Sequence, residues 1–512
     1  MARYKYYLYG ASVQGIQQFI FNSNKIREIA GASELVKAIC DDLFKQVAGP
    51  ETEANIIGAA GEIRHIFGSA DEEVCRKVVR EFPKLVMQEA PGITISQAVV
   101  GYDEWSGALT RQLDDQLKVQ RNKPVLNLNY GLMGMKRMND TGLPISGKNR
   151  KGEYSDASTI KKEEGSSLLK LVETSFGMQV KSAEVAFDVE DITNHNDWVA
   201  IIHADGNGVG QVVREVAKDK ETYRAFSKTL GEVTQKAAVK AYQQVAKRSD
   251  FRGRSGRIPI RPVILGGDDL TVIIRGDLAI EYVATYLKAF EQLSEEQLGA
   301  SKLLGSQHKR LTACAGIAFT KSSYPFYYGY NLAESLCGVA KKIAKHPPFV
   351  QPDKGELAPS CLMFHKVQDS YVMDYDDIIS RELLPQKLHG LQYGPYFLNK
   401  ESALLSSDGR YFTIEELIDF GEQLNRMDPG VKSGLRQWLS LINKDEEQAE
   451  QRLERLLSIQ GGVAKTFIEK MVGRAPYQSL RKGKDKEGKE VIRQHHFAYD
   501  LLAYYTIMNQ GK

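Results

Sequence analysis

The run VAIIHA at residues 199–204 ends in Asp205, and the flexible sequence GNGVG follows at 206–210. An apolar run that stops at glycines is typical of a buried strand, and Asp205 stands at its tip. A second apolar run at 258–265 leads into GGDD at 266–269, and a third follows at 270–274. Two apolar runs joined by glycine-rich turn residues predict a β-hairpin that carries Asp268 and Asp269 at its turn.

These three aspartates form a candidate catalytic and metal site. Neighbouring strands lie about 4.8 Å apart, so a hairpin beside the first strand would bring Asp205, Asp268 and Asp269 together. Mg²⁺ and Mn²⁺ take carboxylate oxygens as ligands, and two metals roughly 3.5–4 Å apart stabilise both oxygens of a nucleotidyl transfer. GGDD alone is also an ordinary turn sequence. The matching Asp205 favours a two-metal nucleotidyl-transfer site.

The residues around the aspartates also suit a nucleotide. Glycines on both turns let backbone N–H groups approach a triphosphate, and a lysine on a helix facing the metals could bind its phosphates. Lysines on exposed helix faces are more often only solubilising. The predicted nucleotide-binding residues are Gly206, Asn207, Gly208, Gly266, Gly267 and Lys341.

Two basic runs have two explanations each. One lies at 148–162 and the other, with Arg252, Arg254, Arg257 and Arg261, leads into the GGDD hairpin. Their cations could contact phosphates or RNA. Solvated surface loops explain them equally simply.

Composition limits the class of protein. The chain has 512 residues, enough for two to four domains, and 68 Lys plus Arg against 65 Asp plus Glu give a net charge of +3. Strong nonspecific affinity for nucleic acid is therefore not expected of the chain as a whole. Five scattered cysteines, no signal-peptide pattern and no run of 18 apolar residues predict a soluble, cytoplasmic protein without a membrane partner.

The order of predicted elements repeats. Residues 4–101 and 198–319 both follow β-α-β-β-α-β, the pattern of ferredoxin-like modules. In the first copy we expect a loop at 22–30, Gly10 or Ala11 in the place of Asp205, and AAGE at 59–62 in the place of GGDD. The lone Glu62 cannot replace three carboxylates, so we predict an α+β protein with one degenerate and one catalytic module.

The predicted boundaries divide the chain into four parts. These are the degenerate module at 1–105, an insert at 106–196, the catalytic module at 197–367 and a helical domain at 368–512, in which 481–489 is expected to be a mobile loop.

Several motifs in this order are more specific than GGDD alone. They are VQGIQQFIF at 13–21, KIREIAGAS at 25–33, DGNGVG at 205–210, GGDD, AGIA at 315–318 with YPFYY at 324–328, Ala340-Lys341, and MFHKV at 363–367. Over residues 4–367 the chain resembles the palm-containing large subunit of type III CRISPR effector complexes, the subunit that makes cyclic oligoadenylates.

The resemblance implies two palm domains packed face to face, with ATP at their interface and metals on the second palm. Asp205, Asp268 and Asp269 would be metal ligands or their immediate helpers, and Lys341 would lie near the phosphates. The expected partners are ATP, RNA or the subunits of an RNA-guided complex, and a second copy of the chain in a homodimer.

The sequence departs from that family in three places. It has no His-Asp dipeptide and starts at the first palm, so we expect no N-terminal nuclease domain. Met133, Met135 and Met138 stand where relatives often carry zinc cysteines, so we expect no zinc. Asn207 stands where many relatives have a second aspartate, which leaves one metal ligand or water contact unassigned.

Three functions follow from these observations. The first is metal-dependent synthesis of cyclic or linear oligoadenylate second messengers from ATP in antiviral defence. The second is a scaffold subunit of an RNA-guided complex with a decayed site, which Asn207 favours. The third, a diguanylate-cyclase-like enzyme, fits less well because the hairpin reads Asp268-Asp269-Leu270 and the module is duplicated.

Overall fold

The protein is described here from a computed structural model. The described residues are 4–49, 55–59, 61–123, 134–193, 198–253, 255–305, 308–346, 349–350, 356–369, 375–384, 389–404, 411–442, 444–474, 479–484 and 489–509. Met133 and Arg254 lie outside them.

The described residues of the first module form four strands and four α-helices. In chain order they are β1 (Tyr6–Gln14), α1 (Ile16–Phe21), α2 (Ile26–Ala38), α3 (Phe44–Ala48), β2 (Asn55–Ala59), β3 (Glu62–Gly68), α4 (Glu72–Glu89) and β4 (Thr94–Tyr102). The sheet has the order β2-β3-β1-β4 with antiparallel pairs throughout, which is the ferredoxin-like arrangement predicted.

One local prediction in this module is wrong. Residues 26–30 belong to α2 and not to a loop, because Ile26, Ile29 and Ala30 are buried and place the apolar face of the helix against the core.

A helical insert connects the two modules. Its elements are α5 (Gly107–Arg121), β5 (Ile145–Lys148), β6 (Tyr154–Asp156), α6 (Ala157–Gly165), α7 (Lys170–Phe176) and α8 (Val189–Ile192). Strands β5 and β6 form a small antiparallel ladder of their own.

The second module repeats the pattern of the first. Its elements are β7 (Trp198–Gly206), α9 (Val209–Val216), α10 (Lys220–Val245), β8 (Ile260–Gly266), β9 (Asp269–Arg275), α11 (Ala279–Ser294), β10 (Ala313–Lys321), α12 (Phe326–Ala344) and β11 (Cys361–Lys366). Residues 198–204 are all buried, which explains why β7 is an almost uninterrupted apolar run.

The C-terminal region is mostly helical. It comprises α13 (Tyr375–Ile378), β12 (His389–Gly390), β13 (Tyr396–Phe397), α14 (Lys400–Leu404), α15 (Ile414–Arg426), α16 (Pro429–Ile442), α17 (Glu446–Ile459), α18 (Gly462–Val472), β14 (Leu480–Lys484), β15 (Glu490–His495) and α19 (Phe497–Met508). None of the helices in the described part of the chain is long and apolar enough to cross a membrane.

Two strand pairings in this region differ from expectation. Residues 480–484 and 490–495 pair as antiparallel strands, so residues 481–484 of the expected loop belong to a strand, and residues 485–488 lie outside the described part of the chain. Strand β13 pairs with β11 and extends the second sheet, which has the order β13-β11-β10-β7-β9-β8, past residue 367. Both pairings join segments whose sequences carry little apolar alternation.

The two modules face each other through α1 and α12. The rings of Phe21 and Tyr330 stack with centroids 4.5 Å apart, and the Nε2 of Gln17 donates a hydrogen bond to the Tyr330 hydroxyl at 2.8 Å. Asn24 accepts a hydrogen bond from the backbone N–H of Phe326, the first residue of α12. Aromatic stacking and hydrogen bonds therefore fix the first module against the second.

Candidate active site

The predicted hairpin forms beside the predicted strand. Gly266 pairs with Asp269 across a two-residue turn, and Gly267 in that turn has φ +60°, a left-handed conformation that glycine adopts without strain. Strand β9 continues along β7, where Leu270 pairs with Ala204. The turn of the hairpin and the end of β7 consequently meet at one edge of the sheet.

The three aspartates come together at this edge. Asp205, Asp268 and Asp269 each offer an oxygen, and these oxygens all lie within 4.8 Å of one another. Gly206 makes the close approach sterically feasible, since a Cβ added there would lie 2.8 Å from the Cβ of Asp268. The sequence alone predicted this convergence.

The electrostatics of the cluster suit a cation. Burial and the charge of Asp205 raise the pKa of Asp268, while burial and the charges of Asp268 and Asp205 raise the pKa of Asp269 to about 8. Both carboxylates therefore bind protons more tightly than usual. A divalent cation would remove this repulsion, and the hard oxygen donors are those that Mg²⁺ and Mn²⁺ prefer.

Lys341 lies at the same edge. Its ammonium contacts the carboxylate of Asp205 and donates a hydrogen bond to the backbone carbonyl of Gly206 at 2.8 Å. Burial alone would lower the pKa of Lys341, but the Asp205 carboxylate raises it. The lysine is thus held as a cation beside the three carboxylates.

In the turn after Asp205, the backbone and side-chain N–H groups of Asn207 donate hydrogen bonds within the protein. The backbone N–H of Asn207 donates to the Thr312 carbonyl at 2.8 Å, and its side-chain Nδ2 donates to Thr312 Oγ1 and the Ala358 carbonyl. The Asn207 side chain is buried, and its Oδ1 has no hydrogen-bond partner among the described residues. Gly208 has φ +69° and is the N-cap residue that immediately precedes α9. The Asn207 amide groups therefore stabilise this turn.

A cavity of about 500 Å³ opens between the two modules. Asp205, Asp269, Gly266 and Gly267 line it from the second module. The first module contributes residues of α1, α2 and its own hairpin, among them Gln17, Ser33, Lys37, Gly58 and Gly61. The carboxylates consequently open into a space that is large enough for a small-molecule ligand.

The first module lacks the three carboxylates. Glu62 pairs with Ala59 in β2 as Asp269 pairs with Gly266, so Glu62 is the counterpart of Asp269. Its neighbour on β1 is Ser12, which makes Ser12, rather than the predicted Gly10 or Ala11, the counterpart of Asp205. The sequence of β1 contains no residue that indicates how β1 pairs with β3, so the exact register could not be predicted.

The basic runs are largely occupied by contacts within the chain. Arg252 and Arg257 pair with Glu184 and Asp191 of the insert. Arg261 is buried, with its guanidinium 5.2 Å from the centre of the Phe187 ring. In the other run, Lys162 is buried and donates to the Phe19 carbonyl. These four cations join the insert to the two modules, a role that the sequence analysis did not foresee.

Sequence reasoning missed several polar residues of the cavity, among them Gln17, His203, Tyr330 and Glu334. His203 is bonded to Thr271, and burial lowers its pKa to about 4, so it is neutral. Tyr330, Glu334 and Lys341 are spaced by four and seven residues, which places them on one face of α12. That spacing is the sequence signal from which Tyr330 and Glu334 could have been predicted to lie in the site with Lys341.

The sequence and the fold match known proteins. Residues 198–347 match the family model of the second palm domain of Cas10/Cmr2. No curated protein matches the chain. Among solved structures, the Csm1–Csm4 cassette in complex with cA3 matches with a TM-score of 0.54 at 13% identity, over 98% of this chain and 69% of the matched one.

Two further structures share the fold. The Csm1–Csm4 cassette in complex with one ATP has a TM-score of 0.51 at 11% identity, over 98% of this chain and 70% of the matched one. The Csm1–Csm4 subcomplex of the type III-A CRISPR–Csm interference complex has a TM-score of 0.50 at 12% identity, over 98% and 69%. The resemblance to the palm-containing large subunit is confirmed, by sequence in the second palm and by fold over nearly the whole chain.

Proposed function

We propose that this protein is a metal-dependent nucleotidyltransferase that joins ATP into cyclic or linear oligoadenylates, because residues 198–347 match the family model of the second palm domain of Cas10/Cmr2. The cluster of Asp205, Asp268 and Asp269, whose oxygens lie within 4.8 Å of one another, is the observation that carries the proposal. The messenger would act in type III CRISPR antiviral defence.

The three aspartates would hold the metals. Two Mg²⁺ or Mn²⁺ ions supply charge stabilisation for the attacking and leaving oxygens when they are bound. Asp268 and Asp269 are half-buried, and burial together with the charge of Asp205 raises the pKa of both, so both favour a nearby cation. Asp205 lies at the open side, with 37% of its side chain exposed, and would complete the ligand set.

The surrounding groups would hold the triphosphate. Lys341 already lies beside Asp205 as a cation and needs to move only from the carboxylate to a phosphate oxygen. Gly206 and Gly208 on one side, with Gly266 and Gly267 on the other, leave the backbone open to the ligand. Asn207 would contribute indirectly, by stabilising the turn that carries Gly206 and Gly208.

The proposed reaction needs no covalent intermediate with the protein. The 3′-hydroxyl of one nucleotide attacks the α-phosphorus of another, a 3′–5′ phosphodiester bond forms, and the bond to pyrophosphate breaks. The hydroxyl proton passes to solvent. The fixed carboxylates and Lys341 act by positioning and by electrostatic stabilisation, which are the main sources of catalysis in phosphoryl transfer.

The first palm would complete the nucleotide site. Its residues line the cavity opposite the carboxylates, and the solved Csm1–Csm4 structures with ATP and with cA3 share this fold. We propose that ATP is bound between the palms, and that a Csm4-like subunit or RNA of a guided complex is a partner. A homodimer is the alternative assembly.

A direct assay tests the proposal. The purified protein is incubated with each labelled nucleoside triphosphate and Mg²⁺ or Mn²⁺, with and without RNA and partner subunits, and the products are resolved beside an Asp268→Ala control. We expect oligoadenylates that depend on Asp268. No turnover under any condition favours the scaffold function, and a dimer made only from GTP favours a diguanylate cyclase.

A further inference from the structure

A fourth carboxylate faces the cavity between the palms. Glu334 lines the same cavity as Asp205 and Asp269 but lies outside their cluster. It is close enough for its charge to act on Asp269. It stands seven residues before Lys341 on α12, so both side chains are on one face of that helix.

Glu334 is held in place by the first palm. The Nε2 of Gln17 donates to Glu334 Oε1 at 3.0 Å and to the hydroxyl of Tyr330 at 2.8 Å. Tyr330 is buried and stacked on Phe21, so its position is fixed from both palms. The carboxylate is therefore oriented before any ligand arrives, which lowers the entropic cost of binding.

The chemistry of a carboxylate limits what it can bind. An ionised glutamate only accepts hydrogen bonds, and it repels phosphate. The group against Glu334 must therefore be a donor, which in ATP is either a ribose hydroxyl or the exocyclic amine of the base. The ribose is bonded to the α-phosphate, whereas the base is one sugar farther away. Because Glu334 lies close to Asp269, the ribose hydroxyl fits better.

We propose that Glu334, positioned by Gln17, accepts a hydrogen bond from a ribose hydroxyl and makes this cavity selective for ribonucleotides. The inference rests on the proposed function. A nucleotide without that hydroxyl would lose its hydrogen bond to the half-buried Glu334 carboxylate, which weakens binding about tenfold or more.

The test measures binding and so does not depend on turnover. Calorimetry with Mn²⁺ compares ATP, 2′-deoxy-ATP, 3′-deoxy-ATP and inosine triphosphate on the wild type, Glu334→Ala, Glu334→Gln and Gln17→Ala. Glu422→Ala, an exposed glutamate of α15, is the charge-matched control. Thermal unfolding of each variant verifies that it is folded, and Glu334→Gln preserves side-chain volume if the alanine variant is unstable.

We expect the wild type and Glu422→Ala to bind ATP about tenfold or more tightly than one of the two deoxynucleotides. We expect Glu334→Ala to bind them alike and Gln17→Ala to show an intermediate preference. If Glu334→Ala still prefers ATP to the deoxynucleotide, the inference is overturned. It is also overturned if the wild type prefers ATP to inosine triphosphate and this preference is lost in Glu334→Ala. If the wild type binds no nucleotide, the proposed function fails together with the inference, whereas ATP binding without deoxynucleotide discrimination overturns the inference alone.

Discussion

The ammonium of Lys341 lies against the carboxylate of Asp205, so the end of α12 and the end of β7 meet at the candidate active site. The contact neutralises one of the three clustered aspartates. A metal ion bound by Asp205 would compete with this contact and release Lys341 toward a phosphate.

Replacement of Lys341 by alanine is therefore expected to reduce turnover of ATP by about tenfold or more, because a cation beside the developing charge is lost. Steady-state kinetics measure the effect. Lys342→Ala is the matched control, since Lys342 is exposed on the same helix. Equal activities of the two variants would contradict the proposed role of Lys341.

Replacement of Asp269 by asparagine is expected to abolish stabilisation by metal. In the wild type, Mn²⁺ should raise the melting temperature and EDTA should reverse this rise, because the ion binds only the folded state. In Asp269→Asn, Mn²⁺ should have little effect. Asp115→Asn, an exposed aspartate of α5, should behave as the wild type; a full response to Mn²⁺ in Asp269→Asn would exclude this metal site.

The same variant has a second expected consequence. Burial and the neighbouring carboxylates raise the pKa of Asp269 to about 8, so at neutral pH the metal-free fold holds a proton on Asp269 that the unfolded chain releases, which lowers the free energy of unfolding. Asp269→Asn should therefore increase the free energy of unfolding in EDTA by roughly 1–3 kcal/mol. Urea titration measures this change, and a large loss of stability would show that the carboxylate has a structural role.

A methyl group at residue 206 should disturb the cluster. Gly206→Ala would place a Cβ 2.8 Å from Asp268 and 2.7 Å from Val209, which we expect to cost roughly 1–3 kcal/mol of stability and to weaken Mn²⁺ binding. Gly210→Ala is the control in the same segment, because nothing lies within 4 Å of its added Cβ. If both variants bind Mn²⁺ equally well, the close approach at Gly206 is unimportant.

Asp500 in α19 should give the fold a pH dependence. Burial raises its pKa to about 6, although the Tyr396 hydroxyl and the backbone N–H groups of Tyr393 and Gly394 all donate to its Oδ2. The folded state then binds the proton more tightly than the unfolded chain, whose aspartates have a pKa of about 3.9. This contribution to stability is present below about pH 4 and is lost as the pH rises through about 6.

Asp500→Asn should remove that dependence. Relative to the wild type, it should gain roughly 1–3 kcal/mol of unfolding free energy between pH 5 and pH 7.5, a difference from which any constant packing cost cancels. Urea titrations at the two pH values measure the gain. Asp419→Asn, an exposed aspartate of α15, should show no such gain, and the absence of a gain in Asp500→Asn would mean that Asp500 is charged without penalty.

The amino-acid sequence alone determined the two ferredoxin-like modules and the meeting of Asp205 with Asp268 and Asp269. These features depend on local signals, namely apolar runs that form strands and a glycine turn that sets the register of a hairpin. The same local signals gave the wrong prediction at residues 26–30, where burial of Ile26, Ile29 and Ala30 against the core selects the helix, and at residues 481–484, which pair with β15.

Only the tertiary structure decided which side chains complete the cavity and what the basic runs do. Gln17 of the first palm donates a hydrogen bond to Glu334 of the second, although the two residues are 317 positions apart in the sequence. Arg257 of the second palm forms an ion pair with Asp191 of the insert. Such contacts depend on how two folded surfaces meet. These contacts are stabilised by burial and by charge pairing between separate elements. The sequence pattern within either element therefore does not predict them.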